Sequence, residues 1–229
     1  MTQKAKSPRR ALVREELLTK AAEVFERQGF AQTRIEDISS ALDLKRSAIY
    51  YYFETKNDIL KALVQDFCEV KAEEHKQSVA GPASSASEKL RNLLTLSIRT
   101  RTEGGARVRA LDTVWTEMPE DIREQFDAAR RRIFALHMDV IREGVASGEF
   151  RSVDPRLAAL GVLGVVNWTS WWYSPDGRDK IEDVIDELVK IAINGLLSTS
   201  RGEEMGRSPL EIVELMEKGL GQLKQTLKN

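Results

Sequence analysis

Apolar residues recur at intervals of three and four along almost the whole chain, and this spacing constrains the fold more than any other feature. Leu17, Leu18, Ala21, Ala22 and Phe25 follow it near the start, and later segments repeat it. Such spacing lines one face of an α-helix, whereas a half-buried strand alternates apolar and polar residues. No segment of the sequence sustains that alternation. The sequence therefore predicts an all-α protein with about ten helices.

Glycine, proline and capping residues divide this pattern into separate helices. The stretch 81–87, which is rich in Ser, Ala, Gly and Pro, is the clearest loop. The predicted helices cover about 10–28, 33–42, 46–52, 56–79, 88–102, 106–117, 120–147, 155–173, 180–198 and 208–227.

The composition excludes several classes of protein. No run approaches the roughly 18 apolar residues of a membrane-spanning helix, and the first residues lack the apolar segment of a secretory signal. The single Cys68 cannot form an internal disulfide, which suits a reducing compartment. We therefore expect a cytoplasmic protein that has no membrane partner.

Charge is distributed unevenly, although the net charge is only -1. The first fourteen residues contain five Lys or Arg and no acidic residue. A basic arm of this kind can solubilise a chain or contact phosphates. Its position beside the motif described next favours phosphate contact.

Residues 33–60 are predicted to form two short helices joined by a tight turn, the pattern of a helix-turn-helix DNA-binding motif. The second helix of such a motif, the reader, contacts the bases. Asp43 falls where the turn needs a left-handed backbone, and Asp tolerates that conformation better than most residues. Helical geometry turns Ile49 and Phe53 inward and turns Ser47, Ala48, Tyr50 and Tyr51 outward, with Tyr52 near the boundary. Lys45 and Arg46, at the helix start, can reach guanine or the backbone.

The residues of this segment closely resemble the N-terminal domain of TetR-type (tetracycline-repressor-like) transcriptional regulators. The resemblance covers about residues 12–62 and rests on three stretches: Phe-Glu-Arg-Gln-Gly-Phe at 25–30, Ile-Glu-Asp-Ile at 35–38, and Ile-Tyr-Tyr-Tyr-Phe-Glu-Thr-Lys-Asn-Asp-Ile-Leu at 49–60. The family usually has Gly where this chain has Asp43, Ser or Thr at Lys45, and often Gly at Ser47. These departures bear on the turn and on the operator sequence.

The resemblance implies which residues meet double-stranded DNA. Arg46, Ser47, Ala48 and Tyr50 match positions that approach bases, whereas Thr33, Tyr51, Tyr52 and Lys56 match positions that hold phosphates. The complete predicted DNA-binding set is Thr33, Arg34, Lys45, Arg46, Ser47, Ala48, Tyr50, Tyr51, Tyr52 and Lys56.

One reader of this size touches few base pairs, so useful specificity generally requires two readers on a two-fold axis. The helices predicted at 155–173 and 180–198 are the candidates for dimerisation, because Ala158, Ala159, Gly161 and Gly164 would allow close approach. The resemblance agrees, since family members usually pair through their last two core helices. The alternative is that both helices lie inside a monomer.

Three tryptophans share one helix face in the second half of the chain: Trp168, Trp171 and Trp172. They could form core, a dimer seam, or the wall of a cavity for a small hydrophobic effector, to which Asn167 would add a polar group. Residues of the two preceding helices could form the opposite wall. The predicted ligand-binding set is Trp115, Met118, Phe126, Met138, Asn167, Trp168, Trp171 and Trp172.

The stretches 148–154 and 167–177 also resemble, more weakly, the TetR-type members that sense acyl-CoA thioesters. Arginines at 99, 101, 107, 109 or 130–132 could meet the anionic CoA tail, or could simply form a solvated helix face. The alternative within the family is a regulator of drug efflux that senses cationic or aromatic compounds. No cofactor is expected besides this effector.

The sequence does not favour an enzyme, because His75 and His137 are isolated and no catalytic, phosphate-binding or metal motif is present. We predict a ligand-responsive repressor that binds a near-palindromic operator as a homodimer; a helical protein-interaction scaffold is the rival class. The predicted parts are a basic arm and helix-turn-helix domain at 1–57, a helical effector-binding and dimerisation domain at 58–200, and a C-terminal extension helix at 201–229.

Overall fold

The computed structural model describes residues 8–80 and 85–198. The helix predicted at 208–227, the extension 201–229 and the first residues of the basic arm lie outside this range. The helices are α1 (Pro8–Gln28), α2 (Ile35–Ala41), α3 (Arg46–Tyr50), α4 (Lys56–Asp66), α5 (Ala72–Ser78), α6 (Ala86–Glu103), α7 (Gly105–Thr113), α8 (Glu120–Ala146), α9 (Pro155–Trp172) and α10 (Ile181–Asn194).

The all-α prediction is confirmed. In the described residues the only extended pairing is an isolated bridge between Phe150 and Leu197. None of the helices described there is long and apolar enough to cross a membrane.

The turn between α2 and α3 has the conformation that the sequence predicts. Asp43 has a positive φ of 52°. The N–H of Leu44 donates to the carbonyl of Ser39 at 2.9 Å, which closes the turn behind α2. The turn thus directs α3 away from α2 and leaves one face of α3 free.

The single helix predicted at 56–79 is interrupted in the structure. Residues Phe67–Lys71 form one π-helical turn between α4 and α5. A π turn inserts an extra residue into the helix and rotates the residues that follow it. The apolar spacing here does not reveal the insertion, because Phe67 still faces the core.

Several other helix ends also differ from their predicted positions; α10, for example, ends at Asn194 and not near residue 198. α6 begins earlier because Ser85 and Glu88 form a capping box. The Glu149 carboxylate accepts two more N–H groups at this end, from Ala86 at 2.8 Å and Ser87 at 3.0 Å. α7 ends earlier than predicted, and a short 3₁₀ turn at Trp115–Glu117 follows it.

Within the described ranges, the buried apolar residues form two clusters. The first joins α1–α4 to α7 and the start of α8, and includes Phe25, Ile38 and Ile49. The second joins α6, the remainder of α8, α9 and α10. The first cluster extends across the predicted domain boundary at 57/58. The α4 residues that follow this boundary belong to the same cluster as residues of α1–α3, which precede it. The helix-turn-helix is therefore built directly onto the body of the protein.

The left-handed turn makes a prediction about stability. Asp43→Gly should keep or raise the free energy of unfolding, by up to about 1 kcal/mol, because Gly adopts positive φ without strain. Asp43→Val should lower it by about 1–2 kcal/mol, because a β-branched residue resists that conformation. Urea denaturation measures both.

Ser40→Gly is the matched control, since Ser40 is exposed on helix α2. Glycine there should lower the free energy of unfolding by about 0.5–1 kcal/mol. Equal losses from both glycine variants would contradict the left-handed turn.

Candidate nucleic-acid interface and ligand cavity

Helix α3 presents one polar face outward and is anchored by two buried residues. Ile49 is fully buried and Phe53 nearly so, whereas Tyr50 and Tyr51 are 40% and 63% exposed. Ser47 is exposed, and Ala48 and Tyr52 are half-buried. This arrangement confirms the predicted orientation of the helix.

Arg46 is held in place at the start of that helix. Its guanidinium meets the Glu36 carboxylate of α2 at 2.5 Å and donates to the Tyr50 hydroxyl at 2.7 Å. A guanidinium held in this way loses less conformational freedom when it binds a base or phosphate. Lys45, the preceding residue, is exposed, and so is Arg34 before α2.

The N-terminal helix adds cations to the same surface. The Arg10 guanidinium lies over the Tyr51 ring at 4.8 Å, and Arg14 lies over Phe53 at 5.6 Å. Arg10 belongs to the basic arm seen in the sequence, but its position beside Tyr51 becomes visible only in the fold. We add Arg10 to the candidate DNA contacts.

Lys56 has a structural partner that the sequence does not reveal. Its ammonium donates to three carbonyls in the turn between α1 and α2: those of Phe30 at 2.7 Å, Ala31 at 2.9 Å and Thr33 at 3.0 Å. These bonds use all three of its N–H groups. The lysine therefore needs no phosphate to explain its presence in the first turn of α4.

Thr33 is also committed to this turn. It is buried, and its hydroxyl donates to the carbonyl of Gly29 at 2.6 Å. Its predicted phosphate contact would require an accessible side chain, which this conformation does not offer. The positions of Thr33 and Lys56 thus favour a role in holding the turn.

The body of the protein contacts the same turn from the other side. The Glu117 carboxylate, at the end of the 3₁₀ turn, accepts the N–H of Ala31 at 2.5 Å. Two residues earlier, the Trp115 indole donates to Asp127 of α8 at 2.9 Å. Two hydrogen bonds, joined by the backbone of the 3₁₀ turn, therefore connect α8 to the turn that precedes α2.

A cavity of about 530 Å³ lies among the π turn, α5, α6, α8 and α9. Its volume is within the usual range for small-molecule sites. Apolar and polar side chains line it: Phe67, His75, Ser97, Thr100, Arg101, Asp127, Arg130, Arg131, Ile133, Phe134, Leu160, Leu163, Val166 and Asn167, together with Gly164.

Of the eight residues in the predicted ligand-binding set, only Asn167 lines this cavity. Met118 and Phe126 are buried in the first apolar cluster, Met138 packs against the second, and Trp115 bonds to Asp127. Trp168, Trp171 and Trp172 are 65%, 59% and 42% exposed. The rotation of α9 that buries Ala159, Val162 and Val166 turns these three rings outward.

A buried polar chain lies at one side of the cavity. His75 and His137 are both within hydrogen-bond distance of the Ser97 hydroxyl, at 3.0 and 3.3 Å from their Nε2 atoms. Burial lowers the pKa of both histidines, that of His137 to about 4. The histidines, isolated in sequence, therefore belong to one network.

A larger cleft of about 1300 Å³ lies among α1, α4, the α6–α7 turn and the end of α9. Many of its charged groups are already paired. Arg107 binds Glu15 at 2.9 Å, Arg109 binds Glu26 at 2.7 Å, and Arg101 binds Asp112. The first two pairs join α7 to α1, and the third joins α6 to α7. The cleft is therefore better described as a contact region between helices than as an anion site.

Both halves of the chain match family models. Residues 17–63 match the model described as bacterial regulatory proteins of the tetR family, and residues 83–196 match the tetracyclin repressor-like C-terminal domain. The HTH-type transcriptional repressor KstR2 of Mycolicibacterium smegmatis is 27% identical over 199 residues, which cover 83% of this chain and 93% of that protein. These relatives are regulators, which agrees with the prediction that the chain is not an enzyme.

Solved structures show the same fold. The ketosteroid transcriptional regulator KstR2 of Mycobacterium tuberculosis matches with a TM-score of 0.76 at 20% identity, covering 86% of this chain and 98% of that one. AibR, solved in complex with isovaleryl coenzyme A and operator DNA, matches with a TM-score of 0.64 at 23% identity, over 78% and 96% of the two chains.

The buried histidine predicts a pH dependence of stability. Because the pKa of His137 falls from 6.5 to about 4 on folding, the unfolded chain takes up the proton first as the pH drops. His137 should therefore lower the free energy of unfolding by about 2 kcal/mol between pH 7 and pH 5. The free energy of unfolding, measured with urea at each pH, shows this loss.

His137→Leu is the comparison, since Leu has no proton to gain. The variant should show a shallower decline over this pH interval, whatever its stability at pH 7. Parallel declines in the two proteins would contradict the buried neutral histidine.

Proposed function

The chain belongs to the TetR family of DNA-binding regulators, and from that membership we propose that it is a ligand-responsive repressor acting as a homodimer. The observation that carries the proposal is the orientation of α3, which buries Ile49 and Phe53 and exposes Tyr50 and Tyr51. A hydroxyl-bearing face on a short helix is suited to the edges of the major groove. Such a regulator acts where bacterial DNA lies, in the cytoplasm.

We propose roles for the DNA-facing residues from the family resemblance and from their exposure. Arg46, Ser47, Ala48 and Tyr50 meet base edges, and Arg46 reads them from a side chain already fixed by Glu36. Tyr51 and Tyr52 contact phosphates, and Arg10 adds a further cation. Lys45 and Arg34 are the flanking contacts, while Thr33 and Lys56 shape the turn that supports them.

We place the dimer interface on α9 and α10, the two helices predicted for this purpose. An apolar stripe on the outer face of α9 supports this proposal. Large contiguous apolar surfaces usually mark an interaction site. The stripe consists of Leu157, Leu160, Val165, Trp168, Trp171 and Trp172, with Gly161 and Gly164 between them, and Ile191 is exposed on α10.

The effector site in this proposal is the 530 Å³ cavity. Its apolar walls suit a small hydrophobic compound, and Arg130 and Arg131 favour an anionic tail such as that of an acyl-CoA. The isovaleryl coenzyme A bound to AibR and the ketosteroid role named for KstR2 support such a ligand. The same arginines disfavour the cationic compounds expected for an efflux regulator.

Release from DNA would follow from the position of this cavity. The cavity contacts the π turn through Phe67, and the π turn follows α4, whose first residue, Lys56, binds the α1–α2 turn. The cavity also contacts α8 through Asp127, which bonds to the 3₁₀ turn that carries Glu117, the second residue bound to the α1–α2 turn. An effector that binds better to a shifted arrangement of these elements would change the separation of the two readers. Matching major grooves lie about 34 Å apart, so a small change weakens binding.

Two arginine variants test the DNA interface by fluorescence anisotropy. Arg46→Ala should weaken binding to the operator by roughly 10- to 100-fold and relax sequence preference, because it removes a base contact. Arg10→Ala should weaken binding to all duplexes alike. It should also reduce the slope of log affinity against log salt concentration by about one, as expected for the loss of one phosphate contact.

Arg178→Ala is the matched control, because Arg178 is almost fully exposed in the α9–α10 loop and pairs only with its neighbour Asp179 among the described residues. It should bind as the unchanged protein does. If Arg46→Ala also binds like the unchanged protein, α3 is not the reader.

A charged residue in the apolar stripe tests the dimer. Trp168→Arg should give the mass of a single chain in sedimentation, because the arginine would be buried without a partner at the interface. The exposed ring in the isolated chain means that the fold itself should tolerate the change. Leu12→Arg places the same charge on another exposed apolar residue and should leave the dimer intact. A dimeric Trp168→Arg variant would refute this interface.

A further inference from the structure

The buried histidine chain has a fixed arrangement of protons. The Nδ1 atom of His75 lies 2.6 Å from the carbonyl of Lys71, and that of His137 lies 2.8 Å from the carbonyl of Ile133. A carbonyl can only accept, so both Nδ1 atoms carry a proton. In a neutral imidazole the Nε2 atom is then an acceptor.

Both acceptors face the same hydroxyl. Ser97 Oγ lies 3.0 Å from His75 Nε2 and 3.3 Å from His137 Nε2, and all three residues are buried. A serine hydroxyl has one proton and can donate to only one of them. Burial holds both imidazoles neutral at neutral pH by lowering each pKa. The described residues of this chain are therefore one hydrogen-bond donor short.

The deficit lies at the cavity. His75 and Ser97 line it, and so does Thr100, one turn further along α6. Thr100 is buried, and its hydroxyl has no hydrogen-bond partner among the described residues. The cavity thus offers an acceptor without a donor and, close by, a hydroxyl without a partner.

We propose that the cavity binds an apolar ligand whose inner end carries a hydroxyl group, which donates to the Ser97–histidine chain and accepts from Thr100. This assignment rests on the proposed effector site and narrows its chemistry. A ketone, ester or carboxylate at the same end could accept from Thr100 but has no proton to donate, so it would leave the histidine acceptor unpaired. A hydroxyl supplies the missing proton. Arg130 and Arg131 stay available to an anionic group elsewhere on the ligand.

A matched pair of probes tests the assignment on the full chain without DNA. Decahydro-2-naphthol and 2-decalone share one bicyclic skeleton and differ in hydroxyl against carbonyl. Calorimetric titration should show the alcohol binding about tenfold more tightly, as expected when a buried acceptor gains its donor. Equal affinity, tighter binding of the ketone, or binding of neither probe would overturn the proposal.

Two variants locate the preference at these residues. Thr100→Val removes the unpartnered hydroxyl at constant shape, and His137→Leu removes one of the competing acceptors. Each should reduce the preference for the alcohol to about threefold or less. Thr102→Val is the control, because that hydroxyl already donates to the carbonyl of Ile98 at 2.9 Å and does not line the cavity.

The control should keep the tenfold preference. Variants that fold, as judged by their thermal transitions, and still prefer the alcohol tenfold would overturn the assignment. These measurements do not involve DNA, so their failure would leave the proposed regulator standing. Loss of operator binding, in turn, would not alter the result with the two probes.

Discussion

The turn between α1 and α2 is the point on which the rest of the structure depends. Lys56 holds three of its carbonyls from α4, and Glu117 holds the N–H of Ala31 from the body of the protein. The ammonium of Lys56 thus binds carbonyl oxygens of this short segment, and the carboxylate of Glu117 binds an N–H of the same segment. Because α2 and α3 follow directly, the orientation of the reader is set by residues that do not themselves face DNA.

That arrangement connects the two candidate sites. The cavity borders the π turn at one end of α4, and Lys56 lies at the other end of the same helix. A second connection runs from Asp127 through Trp115 to Glu117. The ion pairs of Arg107 and Arg109 with α1 add further ties. Changes at the cavity can therefore reach the reader through packed helices and short hydrogen bonds.

Local signals in the sequence predict much of this structure. The left-handed Asp43 and the inward Ile49 are properties of short segments, and the fold keeps them. The π turn leaves no such signal, since apolar spacing continues through it. The histidine chain could not be predicted either, because its members come from three different helices. The sequence does not show whether the tryptophans of α9 face the core or the outside, because both faces of that helix are apolar.

Selection of bound duplexes from a random library by the full-length protein tests the central claim most directly. A dimer whose two α3 helices read adjacent major grooves predicts enrichment of one near-palindromic motif, with half-site centres about 34 Å apart, or 10 base pairs. Arg46→Ala, selected in parallel, should change the enriched bases within each half-site and keep the spacing. Enrichment of no motif, or of a motif without two-fold symmetry, would contradict the account.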